Sequence, residues 1–265
     1  MSAGVYAADS VKAELNPAPA GQRILITGIT GQVGSYLAEY YLQNGNEVHG
    51  LIRPRSSLKF LMQHGAIKKV KLHMVDIRDP FGTVDIARQI RPHIIHSLAA
   101  MTYVPYSWAN PHDTFDTNVH GTINMLEAAR RTDAMIHFAG SSEQYGIVKP
   151  EDCPLIETHP LKPHSPYGIS KTTGEQLCMQ YHQSYGLPTI VTRAFNHESD
   201  RRGKEFIGPT IVRQAIQIAE GNRKNYSLGN LEAIRDITDS RDIVNAYTTA
   251  VRKCNWGEPY NVCSM

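Results

Sequence analysis

The chain has 265 residues, 41% of them apolar and 20% charged, with a formal net charge of +2. That length suits one large domain or two small ones and can bury a core without disulfides or metals. The near-neutral balance gives no electrostatic reason to expect a nucleic acid or a membrane surface as partner, and no run of about 20 apolar residues offers a membrane span.

The first 22 residues lack the basic and continuous apolar regions of a secretory signal and read as a flexible tail, with Asn16–Gly21 as the linker into the fold. Arg23–Thr27 is a short apolar run followed by glycines, which predicts a buried strand. In Gln32–Asn44, Val33, Tyr36, Leu37, Tyr40 and Tyr41 share one face of a helix that Gly45 ends. Further strands are predicted at Glu47–Arg53, Val70–Asp76 and His93–Ala99. A helix around Thr117–Arg131 leads to a fifth strand at Ala134–Ala139, and a long helix over Tyr167–Tyr185 leads to a sixth at Thr189–Phe195. This alternation predicts an α/β fold, a Rossmann-type doubly wound parallel sheet covered on both faces.

From Asn196 the rhythm loosens. Asn196–Lys204 is polar, Phe206–Glu220 and Asp239–Lys253 are helical, Tyr226–Leu228 is a short segment, and Tyr260–Ser264 looks like one more strand. The expected division is a tail over 1–22, a dinucleotide-binding domain over 23–195, and a small substrate-binding region over 196–265 that is interleaved with the last strand of the sheet and truncated at its end. Four cysteines, Cys153, Cys178, Cys254 and Cys263, are scattered without a CxxC pair, so a reducing cytoplasm is expected. The 12 histidines show no ligand spacing, and no metal is expected.

Residues 27–34 place Gly28, Gly31 and Gly34 between a strand and a helix. Glycine permits a tight turn and close backbone approach, and a helix N-terminus offers free N–H groups to a pyrophosphate. Gly28, Thr30, Gly31, Gln32, Val33 and Gly34 are therefore expected to bind a dinucleotide. Some 20 residues on, where an acidic residue would meet an NAD ribose, stands Arg53, followed by Arg55, Ser56 and Ser57. A cation there suits the 2′-phosphate of NADP, although a solvated basic loop would look the same.

Tyr167 and Lys171 are four apart on a helix and share a face. A free tyrosine has a pKa near 10, and a neighbouring ammonium, with the positive nicotinamide of an oxidised cofactor, would favour its phenolate as a general base. Glu143 follows the fifth strand. A plain dehydrogenase needs no carboxylate there, whereas a dehydratase must remove a carbon-bound proton beside a ketone. A surface carboxylate is the plainer alternative.

The Gly-x-x-Gly-x-x-Gly spacing and the Tyr-x-x-x-Lys pair resemble the extended short-chain dehydrogenase/reductases. The Arg53–Ser57 loop, Phe195–Ser199 with Arg201–Gly203, and Leu228–Ala233 with Arg235 and Asp236 narrow the resemblance to the GDP-mannose 4,6-dehydratase family. The resemblance implies that Ser141 hydrogen-bonds the reacting oxygen, that Asp76 and Ile77 meet the adenine end of the cofactor, and that Leu98, Ala99 and Ala100 line it. It assigns Asn196 and Arg235 to the substrate's nucleotide diphosphate. It implies an NADP-dependent lyase that acts on a small nucleotide sugar through an internal hydride cycle, as a homodimer or homotetramer.

Val33 stands where the family usually carries aspartate, Pro54 interrupts its paired arginines, and Thr210 stands near its expected substrate-binding lysine. Gly140–Gly146 and Asn230–Asp242 look equally like GDP-4-keto-6-deoxy-mannose reductase. That activity remains the alternative, with a nucleotide-sugar epimerase third and a non-catalytic cofactor sensor from a different class.

Overall fold

A computed structural model describes residues 19–63 and 65–264. Most of the predicted tail, residues 1–18, lies outside the described residues. Seven strands form one parallel sheet: β1 (Arg23–Thr27), β2 (Glu47–Ile52), β3 (Lys71–Met74), β4 (Ile94–Ser97), β5 (Met135–Ala139), β6 (Thr189–Ala194) and, beyond a short pair, β9 (Pro259–Val262). Their order across the sheet is β3-β2-β1-β4-β5-β6-β9. The short pair is β7 (Asn196–Glu198) with β8 (Ile237–Asp239), joined in parallel with Asn196 opposite Ile237.

The helices are α1 (Gln32–Gln43), α2 (Lys59–Gln63), α3 (Pro80–Ile90), α4 (Val104–Ala109), α5 (Pro111–Phe115), α6 (Gly121–Arg130), α7 (Pro166–Tyr185), α8 (Ile207–Ala219) and α9 (Ser240–Lys253). Side-chain alternation along the strands sorts them into two layers. Leu25, Ile95, Ile136 and Phe138 face α3, α6 and α7, burying Ala87, Ile90, Leu126 and Cys178. Ile24, Ile26, Val48 and Ile94 face the other way onto Leu37, Ala38 and Tyr41 of α1, Leu61 of α2, and Val244 and Val251 of α9. Burial on both faces explains why the strands read as continuous apolar runs.

The chain leaves β1 toward β2 on one side, then crosses back so that β4 lies on the other side of β1. This reversal opens a crevice at the carboxyl ends of β1 and β4. The Thr27 hydroxyl fixes its mouth by accepting the N–H groups of Leu98 and Ala99, both at 3.0 Å.

Several predicted boundaries are longer than the observed elements. The third strand is four residues rather than seven, because the chain turns out after Met74 toward the crevice. The helix expected from Thr117 begins as a π-helical turn over Asp116–His120 and becomes α-helical only at Gly121. Tyr226–Leu228 belongs to neither a helix nor a strand. The segment after Asn196 divides in space: α9 and β9 join the main sheet and its layers, whereas β7, β8 and α8 stand apart from the seven strands.

Candidate active site

A cleft of about 310 Å³ occupies the crevice. One wall is the β1–α1 turn. Gly28 has a left-handed φ of +68°, and a Cβ there would press on the backbone of Ala99. A Cβ on Gly34 would collide with the Gly28 carbonyl, so α1 packs against the turn as only glycine allows. Gly31 N–H closes the turn on the Gly28 carbonyl at 2.9 Å. Gly31 is also the N-cap of α1, without a side-chain cap and with no acidic residue in the first turn. The early N–H groups and the positive end of the helix dipole are thus left to an anion.

Gly28, Thr30, Gly31, Gln32, Val33 and Gly34 all line this cleft, and so do Arg53, Asp76 and Ile77 at one end. Leu98, Ala99 and Ala100 form the facing wall, and Tyr167 and Lys171 lie at the far end. Asp76 is not a free carboxylate: the Arg78 guanidinium holds it from Nη2 at 2.8 Å and keeps its pKa below the usual range.

Tyr167 and Lys171 occupy the first turns of α7, which begins with Ser165 accepting the Gly168 N–H at 3.0 Å and with Pro166 at its first position. Ser141 lies close enough to the Tyr167 phenol to lower its pKa. Lys171 Nζ donates to the Ala139 carbonyl at 2.8 Å, and lies 5.9 Å from the centre of the Tyr167 ring and 5.0 Å from that of Phe138. Burial pushes the lysine down to about 8.

Burial pushes Tyr167 up to about 12, the Glu143 charge pushes the same way, and the opposing influences are the Ser141 hydroxyl and the Arg202 guanidinium. Lys171 is one helical turn along and bonded to a backbone carbonyl on β5.

Ser141 and Glu143 follow β5 in a tight 3₁₀ turn, Ser142–Gln144, capped by the Ser141 hydroxyl on the Glu143 N–H at 3.2 Å. Neither walls the cleft directly. They reach it through Tyr167, by the nearby hydroxyl of Ser141 and the charge of Glu143.

The structure does not bring Asn196 or Arg235 to the cleft. Asn196 is exposed at the start of β7, and the exposed Arg235 donates to the carbonyl of its own neighbour Ile234 at 2.9 Å. His197, on β7, and Arg202, in the loop after β7, do line the cleft and had no role assigned from the sequence. Arg202 Nη1 donates to Gln32 Oε1 at 2.9 Å, stacks 3.6 Å from the centre of the Phe206 ring, and also borders a second hollow of about 730 Å³ beside α8. The signal available for both residues was the Phe195–Gly203 motif.

A parallel sheet with a glycine turn, an uncapped helix N-terminus and a Ser–Tyr–Lys cluster at one crevice defines a dinucleotide-binding protein of the short-chain dehydrogenase/reductase type. The model of the GDP-mannose 4,6 dehydratase family matches residues 25–264, and the chain belongs to that family. It is 38% identical over 232 residues to a GDP-mannose 4,6-dehydratase of Vibrio cholerae, covering 83% of this chain and 61% of that one. The human GDP-mannose 4,6 dehydratase is 36% identical over 234 residues, covering 84% and 62%. The chain therefore spans about three fifths of the length of these curated relatives.

Among solved structures, RMD from Pseudomonas aeruginosa complexed with NADPH superposes with a TM-score of 0.76 at 28% identity, over 92% of this chain and 78% of that one. A UDP-glucose 4-epimerase from Thermotoga maritima with UDP-glucose superposes with a TM-score of 0.81 at 26% identity, over 91% and 77%. Among the described residues, no helix is long and apolar enough to cross a membrane, and no group of three or more His, Cys, Asp or Glu side chains could hold a metal ion.

Proposed function

We propose that the cleft binds NADP and that the protein converts GDP-mannose into GDP-4-keto-6-deoxy-mannose with loss of one water. The residues present fit the cofactor. The turn packs so closely that a Cβ on Gly34 would strike the Gly28 carbonyl, and the uncapped start of α1 leaves backbone N–H groups for a pyrophosphate. Arg53 and Ser56 stand at the cleft's other end, where they would take a 2′-phosphate. Bound NADP would supply a hydride acceptor and, later in the same turnover, the donor.

The protein's own residues handle the protons. The Tyr167 oxygen, as the phenolate that the Lys171 ammonium and the positive nicotinamide of bound NADP would favour, would take the proton of the sugar 4-hydroxyl. The Ser141 hydroxyl, near that phenol, would hydrogen-bond the developing 4-keto oxygen. The ketone acidifies the C5 proton, and the Glu143 carboxylate would remove it and pass it to the C6 oxygen, which leaves as water; when the hydride returns to C6, C5 would regain a proton from the protonated Tyr167. Lys171, an ammonium below about pH 8, would orient the cofactor ribose and keep a positive charge at that end of the cleft. Four free cysteines among the described residues suit a reducing compartment, which we take to be the cytoplasm.

The observation that carries this reading is that Tyr167 and Lys171 line the same cleft as the glycine turn, with Ser141 and Glu143 near enough to bear on the phenol, in a chain of this family. The test is incubation with GDP-mannose and NADP. The expected product has lost one water with no accumulated NADPH. Reduction of the 4-keto-6-deoxy sugar at the expense of NADPH, without turnover of GDP-mannose, would replace this reading with the reductase.

A further inference from the structure

The turn that carries Ser141 and Glu143 is held from beneath by a buried polar chain that the mechanism does not use. Ser141 N–H donates to Gln144 Oε1 at 2.8 Å, and Gln144 Nε2 donates to Glu175 Oε2 at 2.7 Å. Arg193 closes on that carboxylate with two donors, Nε at 2.9 Å and Nη2 at 2.5 Å. Its Nη1 donates to the Tyr145 hydroxyl at 2.8 Å and to the Glu157 carbonyl at 2.9 Å. Tyr145 donates in turn to Asn261 Oδ1 at 2.7 Å. Residues of α7, β6 and β9 thus meet under both ends of one five-residue turn.

The Glu175 and Arg193 side chains are 0% and 4% exposed. Stability alone is a poor reason for such a pair, because an apolar pair of similar volume commonly serves as well. What the charges add here is direction. A carboxylate is acceptor-only, so the Gln144 amide must turn its NH₂ toward Glu175 and its oxygen toward Ser141. A neutral partner would let the amide flip and set a donor against the Ser141 N–H. We propose that Glu175 and Arg193, acting through Gln144 and Tyr145, are positioning residues that hold Ser141 and Glu143 in place against Tyr167. This rests on the roles proposed above for those three residues.

Two variants test it. Gln144→Met cuts the link and leaves both charges paired. The double variant Glu175→Met with Arg193→Leu removes the pair together and leaves no lone buried charge. Hydrogen exchange read by mass spectrometry over residues 140–147 reports the turn directly, independent of any activity. The expected result is exchange at least about tenfold faster in that segment, with the β1–α1 segment unchanged and the melting temperature within about 5 °C of the parent.

On GDP-mannose, turnover should fall about 10- to 100-fold while KM changes by less than about twofold, as misplacement rather than lost binding requires. Unchanged protection of residues 140–147 in Gln144→Met, or a uniform rise across the whole chain, would overturn the proposal. Should the double variant fail to fold, Gln144→Met decides by the same readout. A parent chain without dehydratase activity would refute the functional reading, while the exchange measurement would still decide the link between the ion pair and the turn.

Discussion

Lys171 lies one helical turn beyond Tyr167 on α7, yet its ammonium bonds to the Ala139 carbonyl at 2.8 Å rather than to the phenol. Its ammonium lies 5.9 Å from the centre of the Tyr167 ring. The two residues share a face of the helix but serve different parts of the cleft. Burial raises the phenol's pKa, with Ser141 and Arg202 opposing, and the lysine is a buried cation on the exit of β5.

A buried ammonium is a cost to the fold, and its sign with pH is specific. Burial lowers the folded pKa of Lys171 from 10.5 to about 8. Below pH 8 both folded and unfolded chains hold the proton, and the folded state bears the full penalty. Between 8 and 10.5 the folded chain gives up its proton first, and stability from this group rises. Lys171→Met should therefore stabilise the protein at pH 7 by roughly 1–3 kcal/mol and remove that rise. It should also abolish turnover. Denaturant titrations at pH 7 and 9.5 check the first point. A destabilised Lys171→Met would show that the hydrogen bond to Ala139 outweighs the buried charge.

Two histidines at the centre of the sheet predict acid sensitivity. His96 is fully buried between Tyr41, at 2.8 Å, and His137, at 2.9 Å, and its folded pKa falls from 6.5 to about 3. Above pH 6.5 the group is neutral in both states. Below it the unfolded chain takes up a proton that the folded chain refuses until about pH 3, so stability falls across that window. His96 alone should cost about 2 kcal/mol between pH 7 and pH 5, and His137, shifted the same way, steepens the fall. Unfolding in urea at the two pH values should show a smaller difference in His96→Gln than in the parent.

Arg53 tests the cofactor preference. It lines the cleft with Ser56 and lies near enough to Asp76 to lower its pKa. Arg53→Asp should weaken NADP binding about 10- to 100-fold and leave NAD binding unchanged or better, since one charge-assisted contact is lost and a repulsive one gained. Fluorescence titration with both dinucleotides measures this. Equal weakening of both would remove Arg53 from the 2′-phosphate site.

Gly34→Ala tests the turn itself. The added methyl meets the Gly28 carbonyl, so either α1 or the turn must shift. We expect a loss of roughly 1–3 kcal/mol in stability and of measurable dinucleotide binding. Retained affinity would mean that the turn does not take the pyrophosphate.

The sheet was legible in the sequence because its strands are buried on both faces and announce themselves as apolar runs. The cofactor end was legible for a related reason: its glycines, Arg53, Asp76 and Tyr167 each sit at a strand end or helix start. The helix α3 was missed although Asp79 caps it, accepting the N–H groups of Phe81 and Gly82, and Pro80 opens it. The β7–β8 pair could not be read locally, since its strands are polar, three residues long and joined across some forty residues. A longer separation, 170 residues, hid Arg202 from Gln32 in the phosphate turn, and Asn196 and Arg235 stand outside the lining of the cleft. The Glu175–Arg193 pair left no pattern at all, because a buried ion pair between a helix and a strand is visible only in three dimensions.

The central claim is a dehydration in which the hydrogen removed from C4 of the sugar is returned to C6 of the same molecule. Sugar nucleotide deuterated at C4 tests it most directly. The protein is incubated with GDP-[4-²H]mannose and NADP, and the product is analysed by mass spectrometry and NMR. The account predicts loss of one water with deuterium retained at C6 in the parent, and no such product from Glu143→Gln despite unchanged NADP affinity. Deuterium found in a growing NADPH pool, or full activity in Glu143→Gln, would contradict it.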